Sequence, residues 1–231
     1  MGKNHAKRIS APRTWDTDRK SAKFVTKPSP GPHSQELSYP LGVLLKEIIG
    51  YASTTRESKT LLNSNEVHVD GKRRSDFRFP VGIFDTLQFS STGKNFRVLL
   101  NNKGKLGLVD IGKEEAAMKP CKIIGKSMVR GKMQLNLYDG KNILSDDKIY
   151  KVGDTVILTL PQHRISKHIQ LEKKAFIFLT GGKHIGETGT VEDISGGKII
   201  YKDSNNNLIE TSKKYAFVIG DSKPLITLGR T

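Results

Sequence analysis

The sequence predicts an α+β chain of several small domains, mostly β, behind an extended basic N-terminal arm. Three observations carry that prediction. The first forty residues hold five prolines and no hydrophobic period. Leu41, Leu44, Leu45, Ile48 and Ile49 then recur at helical spacing, ahead of an Asp-Gly hairpin signal. From about residue 92 onward, short apolar runs alternate with Gly, Asn and Asp turns. That rhythm belongs to small β domains.

Charge limits the partners. The chain has 231 residues and a formal net charge of +16, from 39 Lys and Arg against 23 Asp and Glu. With 35% hydrophobic residues it can bury real cores and does not read as disordered. So large a surplus raises self-repulsion in the compact state, and a polyanion would neutralise it. Nucleic acid is the leading candidate, ahead of a membrane surface or a merely basic enzyme. The single Cys121 excludes an internal disulfide framework and a multi-Cys zinc site. Placed between Pro120 and the pair Ile123 and Ile124, it reads as a buried, inert thiol. No apolar run of 18 residues is present, so the expectation is a soluble, intracellular, cytoplasmic chain with no membrane partner. Asp16 and Asp18 speak against a mitochondrial transit peptide.

Residues 1–37 form the arm. Lys3, Lys7, Arg8, Arg13, Arg19, Lys20, Lys23 and Lys27 give it its charge, and residues 1–40 carry a net +5. Pro-punctuated chain of this kind cannot build a core alone and is expected to be extended, ordering on RNA as its cations meet phosphates. His5, Trp15 and Phe24 add flat groups that can stack on bases or pack into a groove.

Residues 38–91 read as two helices and a hairpin, with a net charge of only +1 over 41–91. Ser38 can cap a first helix with Pro40 in its first turn, and Gly50 lies near its end. Thr54 and Glu57 have the spacing of a capping box, opening a second helix through Leu61 and Leu62 that ends near Asn63 or Asn65. Val67 and Val69 face one way before Asp70-Gly71, which supplies the positive φ angles of a tight turn. Ile83, Asp85, Leu87 and Phe89 alternate as a further strand. This order resembles the small RNA-binding module of bacterial ribosomal proteins, pseudouridine synthases and some tRNA synthetases. The resemblance makes Arg56, Lys59, Lys72, Arg73, Arg74 and, close by, Arg78 the RNA-facing edge.

Residues 92–170 hold a net +8 and read as a central β domain. Strands are expected near Phe96–Leu100, Leu106–Ile111, Met133–Tyr138 and Thr155–Leu160. Lys119, Lys122, Lys126, Arg130 and Lys132 crowd within fourteen residues, and Lys122, Lys126 and Arg130 are candidate RNA contacts.

Residues 171–231 begin with the apolar strand Phe176–Leu179 and run into a Gly-rich stretch carrying Lys183 and His184. Gly181 to Gly186 has the spacing of a phosphate loop, but Glu187-Thr188 follows where Lys and Ser or Thr are needed, and Glu187 would repel phosphate. Gly186, Gly189 and Val191 resemble instead the KOW motif of ribosomal and transcription-factor proteins, a strand–turn–strand within an SH3-like barrel. Gly189 serves either approach to a partner or the barrel itself. His163, His168 and His184 are too irregularly placed for a metal site, so solvated or RNA-facing roles are expected for them.

The order of parts is more specific than any one of them. Ala11-Pro12-Arg13-x-Trp15 and Gly31-Pro32-His33 precede Val69-Asp70-Gly71-Lys72, then Pro80-x-Gly82-x-x-Asp85, the KOW stretch, Phe217-Val218-Ile219-Gly220 and Lys223-Pro224. Over nearly its whole length the chain resembles the small-subunit ribosomal protein S4e family. Ending soon after Leu228, without the long basic tail of eukaryotic members, it looks archaeal. The resemblance implies a constituent of the small ribosomal subunit fixed on ribosomal RNA beside neighbouring ribosomal proteins. It implies no catalytic residue, cofactor, metal or small-molecule substrate, and no free homo-oligomer. The rivals are a free RNA-binding protein and an RNA-modifying enzyme that holds its substrate with the same module.

Overall fold

The structure is a computed structural model that describes residues 5–64, 66–147 and 149–229. The chain is mostly β, with several antiparallel sheets and few helices. It divides into two compact units, residues 1–99 with 105–117, and residues 100–104 with 118–231.

In the first unit the arm is already folded. Ala6–Lys7 pairs antiparallel with Phe24–Val25. Ala11, Trp15 and Val25 are buried. Trp15 lies against Tyr39 with ring centroids 5.4 Å apart, and its indole N–H donates to the Gln35 carbonyl at 3.2 Å. The arm is therefore not the extended chain expected: it folds back on itself, with short 3-10 turns at Arg8–Ser10 and Gln35–Leu37, and is anchored. Its aromatics find partners further along the chain, which composition alone cannot show.

The first helix starts later than expected. Ser38–Pro40 is a strand, paired with Pro80–Gly82, and the Ser38 hydroxyl donates to the Ser34 carbonyl at 2.7 Å. Pro40 faces Pro80 at the end of that short ladder, where the N–H that each proline lacks is least needed. The helix runs Leu41–Val43 and widens into a π-helical turn, Leu44–Ile48, in which Ile49 N–H reaches the Leu44 carbonyl at 2.9 Å. Leu41, Leu44 and Leu45 are fully buried. The second helix, Thr55–Asn63, opens on the expected capping box, with the Thr54 hydroxyl accepting from Glu57 N–H at 3.2 Å.

Val67–Val69 and Lys72–Arg73 form the hairpin, turned by Asp70 at φ +52° and Gly71 at φ +69°. Val67–Val69 then pairs with Thr86–Phe89, which pairs with Asn95–Leu100. In sheet order Leu106–Asp110 lies beyond Asn95–Leu100. The boundary expected between residues 91 and 92 thus falls inside one sheet. Arg97 shows why residues 95–99 and 105–117 belong to the first unit. Its fully buried guanidinium is held by the Glu115 carboxylate and by the Glu115 carbonyl at 3.0 Å.

The motifs that mark the sequence interlock here. His33 Nε2 lies 2.9 Å from Asp85 Oδ1, both side chains almost fully buried, and the other Asp85 oxygen accepts from Gly82 N–H at 2.9 Å. A Cβ on Gly82 would stand 2.2 Å from the His33 ring, so only glycine leaves room for this contact.

The second unit holds two five-stranded sheets. One is ordered Asn142–Ser145, Lys132–Leu137, Met118–Val129, Thr155–Thr159, Arg164–Ile169. Ile123, Leu135, Leu137, Val156 and Leu158 form a core on it with Cys121, the buried thiol the sequence suggests. The other is ordered Leu208–Ser212, Lys198–Asp203, Thr188–Ser195, Phe176–Leu179, Ala216–Gly220, around Ile177, Leu179, Val191, Ile199, Tyr201 and Val218. Gly189 belongs to this sheet's packing, since a Cβ there would meet the Lys202 carbonyl oxygen at 2.4 Å. Gly186, at φ +85°, lets the loop close on the Asn101 carbonyl.

Candidate RNA-binding surface

The cations that the sequence nominates separate into those that hold the protein together and those left facing solvent. Arg8 belongs to the first group. Its guanidinium grips the Glu47 carboxylate with two hydrogen bonds of 2.7 Å and donates to the Asp18 carbonyl at 3.0 Å. The hydrogen bond to Glu47 raises its pKa against the opposing pull of burial. With a residue exposure of 5%, it is a bracket within the first unit and has no free face for phosphate. Trp15, at 2%, is likewise core. Tyr39 beside it hydrogen-bonds Asp16 N–H and the Leu106 carbonyl, and burial pushes its hydroxyl up to about 12.

Lys122, a third candidate RNA contact, also turns out to be internal. Its ammonium points inward and donates to the carbonyls of Lys213, Lys214 and Ala216 at 3.2, 3.0 and 2.6 Å. Burial, helped by Lys213, pushes its pKa down to about 8. Three residues earlier, Lys119 is also buried and pairs with Asp139 at 3.1 Å. Asp139 takes Lys141 as well, at 2.8 Å, and accepts from the Cys121 thiol at 3.7 Å. Burial would raise the Asp139 carboxyl, but the two ammoniums outweigh it and hold it down at about 2.

The remaining nominees lie at the surface. His5, Lys7, Arg13, Arg19, Lys20 and Lys23 are exposed on the arm, while Lys3 lies outside the described residues. Arg19 also donates to the Ile9 and Pro12 carbonyls, which keeps its guanidinium close to the backbone. Arg56 and Lys59 are exposed three residues apart on the second helix, hence on one face. Lys72 and Arg73 are exposed on the hairpin. Arg74 is half-buried over the Phe79 ring, 4.3 Å from its centroid, and Arg78 is half-buried with Nε on the Lys27 carbonyl at 3.0 Å.

In the second unit the strand Met118–Val129 runs from core to solvent. Lys126 is exposed, with its ammonium donating to the Tyr150 carbonyl at 2.7 Å. Arg130, at φ +51°, and Gly131, at φ +79°, turn the hairpin, so Arg130 and Lys132 stand together at its exposed tip. In sequence Lys132 is one of five crowded cations; the Val129↔Lys132 register at the turn is what singles it out. Lys183 is exposed. Half-buried His184 lies 3.0 Å from Glu187, whose carboxylate also accepts from the Tyr201 hydroxyl at 3.1 Å. Glu187 is thus tied within the unit to His184 and Tyr201. Of the two large aromatics in the arm, Phe24 is the one that faces out, 48% exposed. Its signal is the alternation with buried Val25.

Comparison with known proteins gives these surfaces a context. Residues 1–36 match the RS4NT domain and residues 92–165 match Ribosomal family S4e. The small ribosomal subunit protein eS4 of Methanosphaera stadtmanae is 41% identical over 98% of this chain and 96% of its own length. The chain belongs to the S4e ribosomal protein family. The eS4 protein of Methanocella arvoryzae is 40% identical over 96% of this chain and 97% of its own. Among solved structures, the crystal structure of the 30S ribosomal protein S4e from Thermoplasma acidophilum aligns at a TM-score of 0.67 with 30% identity, covering 80% of this chain and 95% of that one. No helix among the described residues is long and apolar enough to cross a membrane.

Proposed function

We propose that this chain is a structural constituent of the small ribosomal subunit that holds ribosomal RNA through several separate cationic surfaces. The observation that carries the reading is its full-length relation to proteins named as small-subunit constituents. The exposed cations supply the physics. They are spread over the arm, the second helix with its hairpin, and the tip at Arg130 and Lys132. Modest footprints on one chain reinforce one another through effective concentration, so no single strong pocket is needed. On this reading Lys7, Arg13, Lys20 and Lys23 meet phosphates from the arm. Arg56, Lys59, Lys72 and Arg73 do so from a module of the two-helix-and-hairpin kind, and Lys183 from a KOW-type barrel over residues 171–231. The role is architectural and cytoplasmic, in support of translation, beside neighbouring ribosomal proteins and without catalysis.

A sucrose gradient tests this directly. The chain is expected to sediment with the small subunit at high and low magnesium, and steady migration as free protein would overturn the assignment. The arm is best tested by point changes, because Trp15 and Val25 are part of the first unit's interior and deleting residues 1–33 would damage the fold. Replacing Lys72 and Arg73 together by Ala should weaken binding to small-subunit rRNA and flatten the log–log salt slope by about 1.4–1.8, as two lost phosphate contacts would. An unchanged slope removes the hairpin from the interface.

A further inference from the structure

We propose that Phe24, braced by His5 and flanked by Lys7 and Lys23, is a stacking platform for an unpaired ribosomal RNA base; this rests on the RNA-binding reading above. The short ladder of Ala6–Lys7 with Phe24–Val25 sets the geometry. Side chains alternate across a strand, so Val25 turns inward and is buried, and Arg8 is drawn to Glu47. The same alternation sends His5, Lys7 and Phe24 outward, and all three are exposed. Lys7 stands directly opposite Phe24 in the register.

The ring is held by two neighbours and only partly covered. His5 meets it edge to face, with centroids 5.4 Å apart and planes at 83°. Lys23 Nζ lies 5.5 Å from the ring centroid. With both neighbours in place Phe24 still has 48% of its surface in solvent. A large aromatic in that position gains little from folding, since the inward face of the ladder already anchors it.

The choice of partner follows from what surrounds the ring. An apolar protein surface laid over Phe24 would strip water from the ammoniums of Lys7 and Lys23 and return nothing for them. A nucleotide offers a π face to the ring and a phosphate to the cations at once. Any base has such a face, so the platform suits a flipped or looped nucleotide without reading its identity. Trp15, the stronger stacking group by type, is excluded by its burial.

The test uses the full chain and transcribed small-subunit rRNA in a salt series. Phe24→Ala and Phe24→Leu should each lower affinity about 5- to 150-fold, the value of one base stacked on an aromatic, with the salt slope unchanged. Phe24→Tyr should bind like the original chain. Lys7→Gln and Lys23→Gln should instead flatten the slope by about 0.7 each. Thermal melting of the Phe24 variants should match the parent, since the side chain is half in solvent. Parental affinity for the Phe24→Leu variant overturns the proposal. So does normal binding to naked rRNA combined with failure to join the assembled subunit, which would assign the ring to a protein neighbour. A parent chain that itself ignores the rRNA overturns both readings together, a result distinct from selective failure of the Phe24 variants.

Discussion

Residues 5–25 and residues 118–132 are both rich in cations, and each region buries part of its charge while exposing the rest. They do so by different chemistry. The arm buries one guanidinium, Arg8, in a bidentate grip on Glu47. The strand Met118–Val129 buries two ammoniums, Lys119 against the Asp139 carboxylate and Lys122 against three backbone carbonyls. Arg8 is pushed up by its hydrogen-bonded carboxylate, whereas Lys122, held by carbonyl dipoles, is pushed down to about 8 by burial. Charge density by itself therefore says little about where a polyanion would bind. The cations that remain for RNA are those the fold has not already used.

The largest effect should come from removing the carboxylate that two lysines share. Asp139→Ala takes the carboxylate away from a buried Lys119, and should cost about 3–5 kcal/mol in denaturant unfolding. A loss below about 1 kcal/mol, the range of exposed pairs, would mean that this pair is not a buried one, and the contrast between the two regions would narrow. Arg8→Ala should cost about 1.5–3 kcal/mol, less because Glu47 retains some exposure and can be hydrated once alone. Calorimetry on that variant should also show unchanged rRNA salt dependence, since Arg8 does not face out.

The acid limb sharpens the same comparison. The folded Asp139 carboxyl titrates at about 2, below its ordinary 3.8. An unfolded chain therefore takes up this proton first as pH falls. The stabilisation is complete above about pH 4 and disappears towards pH 2, amounting to about 2 kcal/mol. Asp139→Asn should remove that slope from the melting temperature measured between pH 4 and 2. The smallest effect is expected from Lys122→Met, about 1–2 kcal/mol. Three carbonyls lose their donor, but the buried ammonium's hydration penalty disappears with it. A loss as large as that of Asp139→Ala would show that carbonyls hold a lysine as firmly as a carboxylate does.

Much of the fold is legible in the sequence. The capping box at Thr54 and Glu57, the Asp70-Gly71 turn, the strands from Phe96, Leu106, Met133, Thr155 and Phe176, and the buried Cys121 all stand where local rules put them. Each depends on residues a few positions apart, the range over which propensity and hydrophobic alternation act. The start of the first helix is not legible in this way, because Ser38–Pro40 pairs with a strand forty residues on, a contact with no local signature. For the candidate site, charge and turn position alone suffice to nominate the exposed Lys7, Lys20, Lys72, Arg73, Arg130 and Lys183. They do not suffice to tell these from Arg8 and Lys122, whose partners lie far along the chain.

What the sequence by itself determined is the mostly β organisation, the order of its parts and, through that order, the S4e family. Its tertiary structure decided which members of each cationic run are spent inside. Arg8 finds Glu47 across 39 positions, and Lys122 finds the Ala216 carbonyl across 94. A side chain's value to a partner depends on what remains unsatisfied after such long-range contacts form. That is why Phe24 faces outward while Trp15, the more conspicuous aromatic in the sequence, lies in the core.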